Sequence, residues 1–105
     1  MLTDLEKKSI AKVLLEIMNA DRRVTFSESE AMRDMQNNLH IFPSQVEEAK
    51  TMNPYVCLNT ISKMNIQNKA IVAVAMHRMI NADGNASPEE IEIFNLVCYH
   101  CGINL

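Results

Sequence analysis

The chain has no tryptophan, few aromatics of any kind, and only 2 Gly and 3 Pro in 105 residues. So few turn-formers leave little material for hairpins, and nothing alternates with period two, so no sheet is expected. There is no run of eighteen or more apolar residues, which excludes a segment that crosses a bilayer. Basic residues do not dominate either. Lys and Arg number 10 against 13 Asp and Glu, a net charge of −3, whereas a general nucleic-acid binder needs a basic face. Three cysteines are too few and oddly numbered for a disulfide framework. The opening MLTDLEKKSI mixes acids with lysines and has no apolar core, unlike a secretory signal. Together these absences predict a cytoplasmic protein in a reducing compartment.

What is present is helix-forming material. Hydrophobic residues make up 48% and charged residues 22%, with 8 methionines, the balance of a folded globule rather than a disordered chain. One domain of this length buries roughly two-thirds of its unfolded surface, enough for a core without staples. The expected class is all-α, a bundle of about six helices.

Capping signals place those helices. Thr3-x-x-Glu6 is a capping box, in which the hydroxyl accepts from the N3 amide and the carboxylate accepts from the cap amide. Ile10, Val13, Leu14 and Ile17 follow it as one buried stripe, with Lys7, Lys8, Lys12 and Glu16 on a solvated face, to an end near Asp21. Thr25-x-x-Glu28 opens a second helix with Ala31, Met32, Met35 and Leu39 inward. Ser44-x-x-Glu47 signals a short third helix to about Met52, and Asn53-Pro54 a fourth through Val56, Leu58, Ile61 and Met64. Asn65 caps a fifth over 66–82, whose Ala70–Met76 segment is apolar on every side and so reads as the buried centre. Ser87-Pro88-Glu89-Glu90 is the strongest start, and its helix turns Ile91, Phe94, Val97, Cys98 and Cys101 inward before Gly102.

The second and sixth helix starts repeat one another. Shifting residues 19–41 by 62 places them on 81–103 without a gap. Asn19 then matches Asn81, Ala20 matches Ala82, Asp21 matches Asp83, Thr25 matches Ser87, Glu28 matches Glu90 and Glu30 matches Glu92. The apolar positions follow, Met32 with Phe94, Met35 with Val97 and Leu39 with Cys101. Two helix–loop–helix units, about 3–41 and 66–103, joined by helices over about 44–64, are expected to pack about a pseudo-twofold axis.

The run Ala82-Asp83-Gly84-Asn85-Ala86-Ser87-Pro88-Glu89-Glu90, with its weaker copy from Ala20-Asp21 to Glu28, resembles the TerB-like family of tellurite-resistance proteins over nearly the whole chain. The resemblance implies a helical bundle with no established catalytic activity. It also implies acidic loops that are candidate divalent-cation sites, in proteins tied to stress-response assemblies near the membrane. A protein partner, and through it an indirect membrane association, is implied in the same way. The first copy departs from the motif, with Arg22 and Arg23 where Gly84 and Asn85 stand, so it is the weaker of the two.

The oxygen chemistry of the loop supports the same expectation independently. Asp83 follows a helix C-terminus, where the dipole disfavours a carboxylate by roughly 0.3–1 kcal/mol, and a hard cation such as Ca²⁺ or Mg²⁺ would compensate. Asp83, Asn85 and Glu90, with Glu92 as an extra, supply suitable donors, and Asp21 and Glu28 form the weaker mirror set. The spacing is not an EF-hand, since Pro88 and Phe94 fall where that loop needs Gly and Glu. The same residues also serve a purely structural reading, with Gly84 closing a helix and Glu90 completing a capping box. Both readings stand at this point.

Other motifs carry less. Cys98-Tyr99-His100-Cys101 ends a helix, where the dipole raises rather than lowers thiol pKa, and no second ligand pair completes a zinc site. No nucleophile–base signature or phosphate loop is present, so an enzyme is not expected. The alternative to a cation module is a metal-independent scaffold. It would dock a protein partner through the acidic residues Glu28, Glu30, Glu89 and Glu92 and through exposed methionines such as Met18, Met52 and Met64.

Overall fold

A computed structural model describes residues 1–104. Among them six helices and no strands are found: α1 (Asp4–Met18), α2 (Phe26–Leu39), α3 (Pro43–Lys50), α4 (Pro54–Ser62), α5 (Ile66–Ile80) and α6 (Pro88–Cys101). The all-α expectation holds. The Cα radius of gyration is 12.3 Å, close to the ~13 Å of a compact chain this long. No helix of the described residues is long and apolar enough to cross a membrane.

α1 is the hub. It packs against every other helix, most closely α4 and α3, then α5 and α6. Its stripe Ile10, Val13, Leu14 and Ile17 is buried as the period-3.6 pattern requires, joined by Ala11. α5 lays Val72, Met76 and Met79 on α1, and Val97 and Cys101 of α6 and Ile61 of α4 close the core.

Several helices differ in detail from the sequence expectation. α1 stops at Met18, with Asn19 as its cap, because the Asn19 side chain donates to Leu15 O at 2.8 Å and closes the last turn early. Lys12 does not sit on a solvated face. Its stem is buried and its Nζ donates to Lys50 O at 3.1 Å, an amine buried at a helix end where carbonyls lack partners. α3 begins two residues earlier than a Ser44 cap would place it. Phe42 is its cap, Gln45 Oε1 accepts from Phe42 N at 2.8 Å, and Glu47 pairs instead with Lys50.

α5 is buried on most sides but not all. Ala70 and Val74 face outward, and a groove of about 340 Å³ opens beside them, lined also by Met35, Leu39 and Ile71. Ile91 of α6 is 42% exposed, and Ile93 takes its place beside the core. Met64 is buried and so offers nothing to a docking surface.

Candidate functional site

The two elbows that precede α2 and α6 are built from the same local devices, 62 residues apart. Asn19 and Asn81 each turn their side-chain amide back onto the carbonyl four residues earlier, at 2.8 and 2.9 Å. Asp21 Oδ1 accepts from Arg23 N, and Asp83 Oδ1 accepts from Asn85 N, both at 3.0 Å. Arg22 and Gly84, the matching residues between, both have positive φ, 61° and 77°. The elbows end in matched capping boxes. Glu28 N donates to Thr25 Oγ1 and Glu90 N to Ser87 Oγ, both at 3.1 Å. Thr25 N and Ser87 N donate to the Oε1 of Glu28 and Glu90 at 2.9 and 3.0 Å. After the helices, His40 and Gly102 take the left-handed conformation, and Ile41 N and Ile103 N each donate to the carbonyl five residues earlier at 2.9 Å.

The capping box does not by itself bury a glutamate. At α1 the same device, Thr3 with Glu6, lies at the surface. Glu28 and Glu90, by contrast, are 1% and 2% exposed. Both lie out of water, and the Glu28 carboxyl approaches the Glu90 carboxyl closely enough to act on it. Oε1 of each is spent on its own box. Oε2 of Glu28 is buried with no hydrogen-bond partner. The Glu90 carboxyl is pushed up to about 7, first by burial and then by its hydrogen-bonding approach to Glu28. The Ser87 amide opposes this, and the charges of Glu28 and Asp21 add to it.

Two oxygen-only groups cannot bond to one another while both are ionised, because neither supplies a donor. Unit charges about 4 Å apart at an effective dielectric of about 20 repel by roughly 4 kcal/mol. The dipoles of the two helix starts return only about 0.3–1 kcal/mol each. Repulsion wins. The pair therefore needs something positive between its carboxylates, a proton or a cation.

The structure distributes the sequence-predicted residues unevenly. Glu28 and Glu90, assigned from sequence to two mirror sites, share one, and Asp21 acts on Glu90 from the opposite elbow. Asp83 is partly buried and bonds within its own loop, as Asp21 does. Asn85 is exposed at the tip. Glu92 is exposed too, since two residues beyond Glu90 it points about 200° away around α6. Glu30 and Glu89 lie on the surface, while Glu28 is buried and leaves the acidic docking patch. Among the described residues no three His, Cys, Asp or Glu side chains stand together as a ready metal cage.

What the sequence reading missed is the meeting of Glu28 with Glu90. The available signal was that Glu28 and Glu90 occupy matching positions in the two copies of the motif.

The cysteines offer no competing site. Burial pushes the Cys57, Cys98 and Cys101 thiols up, and Cys101 Sγ donates to Leu58 O at 3.4 Å. High-pKa thiols of this kind are poor nucleophiles and poor ligands.

Fold and site together define a class, an all-helical domain with a buried carboxyl pair between two helix starts. A solved structure with the same architecture is that of a protein of unknown function from Porphyromonas gingivalis W83. It superimposes with a TM-score of 0.84 at 18% sequence identity, over 100% of this chain and 88% of that one. At that identity the likeness speaks for the fold. No family model matches the chain, and no curated protein matches it.

Proposed function

We propose that this chain is a TerB-like, non-catalytic binding module of the cytoplasm that takes up one hard divalent cation, Ca²⁺ or Mg²⁺, between Glu28 and Glu90. The observation that carries the reading is the partnerless, buried Oε2 of Glu28, set against the Glu90 carboxyl. The donors fit such an ion by type, being carboxylate oxygens, with thiols and imidazoles elsewhere. Glu28 and Glu90 would hold it, and Asp21 would add negative potential. With so few protein donors the affinity belongs to the weak end, about 10⁻⁴–10⁻³ M.

The TerB-like assignment draws support from the Ala82–Glu90 motif and from the matched geometry of the two elbows, which also favours a pseudo-twofold pairing of residues 3–41 with 66–103. Asp83 and Asn85, with Asp21, then act mainly by shaping the elbows, and Glu92 stays outside the site. A place in a tellurite-type stress response follows from the same resemblance and belongs to this proposal.

Calorimetric titration with Ca²⁺, Mg²⁺ and Zn²⁺ tests the cation. Heat with Ca²⁺ or Mg²⁺ in the millimolar range, absent in Glu90→Gln, is expected. Silence with all three ions, together with unchanged thermal stability, would remove it.

A second reading, a metal-independent scaffold, is favoured by one specific feature, the apolar groove beside Val74, which is itself 61% exposed. Partner capture that persists in chelator and fails in a Glu89→Lys, Glu92→Lys double variant would favour that reading over the first.

A further inference from the structure

α2 packs on α5 and α1 but not closely on α3. The two consecutive helices diverge from the joint at residues 40–42, and a cleft of about 560 Å³ is left in the angle between them. That volume lies in the range of small-ligand sites, roughly 300–1,000 Å³. Its two walls differ in kind. On the α2 side stand Ser29, Arg33, Gln36 and Asn37, which fall within about 100° of arc on the helix. They lie off the face that carries Met32 and Met35 into the core. On the α3 side Phe42, Pro43 and Val46 form an apolar shelf. Among the described residues none of the four α2 side chains donates a hydrogen bond. Arg33 has no ion-pair partner among them either, unlike Lys8, Lys12, Lys50 and Arg78. The carboxylate of the cleft, Glu47, is met by Lys50 at 2.8 Å. Lys7 adds a further positive charge beside the shelf, 5.8 Å from the Phe42 ring centroid. The cleft is thus locally cationic on a chain whose net charge is −3.

The matching face of α6 has none of this character. Shifted by 62, the same positions carry Ile91, Asn95, Cys98 and Tyr99, without a charge. The residues that close the two helices differ as well. Gly102 and His40 both take positive φ, 66° and 56°, a conformation free to glycine and strained in histidine. His40 lines the cleft, and strain of this kind persists at ligand clamps, where the side chain is needed. We infer that this cleft is a binding site for a small organic anion: its carboxylate or phosphate group pairs with Arg33 beside His40, and its apolar body lies on Phe42 and Val46. The planar guanidinium meets either oxyanion with two parallel N–H···O bonds. Ser29, Gln36 and Asn37 supply further donors around the head group. Arg33 stands more than a full turn before Leu39, where α2 ends, so it is clear of the negative helix pole, which acts within the last turn. The site does not involve the buried carboxyl pair and is independent of the cation reading.

Nuclear magnetic resonance titration of the isotope-labelled chain with phenyl phosphate, benzoate, inorganic phosphate and acetate tests the site. Phenyl phosphate or benzoate in the millimolar range should shift the amides over 29–47 to saturation, and whichever binds more tightly identifies the head group. The aromatic anions should bind about ten-fold or more tightly than inorganic phosphate and acetate, which lack the apolar body. Arg33→Gln should weaken binding by about ten-fold or more, while Arg23→Gln, which removes an exposed cation outside the cleft, changes nothing. His40→Gly should weaken binding and yet raise the urea midpoint, because the strain is relieved. Inorganic phosphate binding as tightly as phenyl phosphate would show an adventitious ion only and overturn the proposal. So would shifts that never saturate, shifts that Arg33→Gln leaves in place, shifts that Arg23→Gln removes as well, or a His40→Gly chain that binds like the wild type.

Discussion

The elbow before α2 and the elbow before α6 have the same backbone path but unequal chemistry, and that inequality is instructive. At the positive-φ position the second elbow has Gly84 and the first has Arg22. A non-glycine residue in the left-handed region costs roughly 1–2 kcal/mol, so the first elbow is the strained copy. The arginines do not rescue Asp21 from its loop role, since Asp21 still accepts from the backbone of Arg23 as Asp83 does from Asn85. The geometry of the elbow is thus set by the Asn, Asp and box positions, and the residues between them are free to differ. The two capping glutamates differ from an ordinary pair because both are out of water and the Glu28 carboxyl acts on Glu90.

The comparison breaks most visibly at the carboxyl pair. Glu90 titrates at about 7 instead of near its ordinary 4.5, so between those values the folded state holds a proton that the unfolded chain has released. The resulting stability is fully present below pH 4.5 and is lost as pH rises through 7, by about 3 kcal/mol at most. Denaturant melts across pH 4–8 in chelator should show this fall, and Glu90→Gln should flatten it and be the more stable protein at pH 8.

A smaller effect separates the two turn residues. Nothing lies within 4 Å of a Cβ built on Gly84, so Gly84→Ala meets no tertiary clash and its cost is the strain of a Cβ in the left-handed region, about 1–2 kcal/mol, measurable by urea midpoint. The box hydroxyls come next. Thr25→Ala and Ser87→Ala should each cost about 1 kcal/mol, and equal costs would strengthen the equivalence of the elbows. A loss confined to Ser87→Ala would show that the first box is dispensable. Least of all, Arg22→Gly should stabilise by roughly 0.4–1 kcal/mol, in the opposite sense to the change at Gly84. No gain there would mean that the arginine makes a compensating interaction.

Much of the fold was legible because the signals were local. The three boxes at Thr3, Thr25 and Ser87 and the prolines at 54 and 88 mark helix starts by hydrogen bonds spanning three residues, and the stripe on α1 marks its own buried face. Errors came where a distant segment decided. Lys12 reads as solvated until Lys50 O, 38 residues on, arrives to accept from it. Ala70 and Val74 read as core until α2 falls short of covering them. Ile91 and Ile93 are both apolar, and only the rotation of α6 in the bundle chooses Ile93.

By itself, the sequence determined the six helices, their caps and the likeness of the two elbows, since each follows from backbone donors and acceptors within one turn of their partners. Tertiary structure alone decided that Glu28 and Glu90 face one another out of water. Burial depends on what another part of the chain displaces, and the cost of a charge changes severalfold once solvent is gone. Two ordinary helix-capping glutamates became an electrostatic problem only when the helices they cap came together.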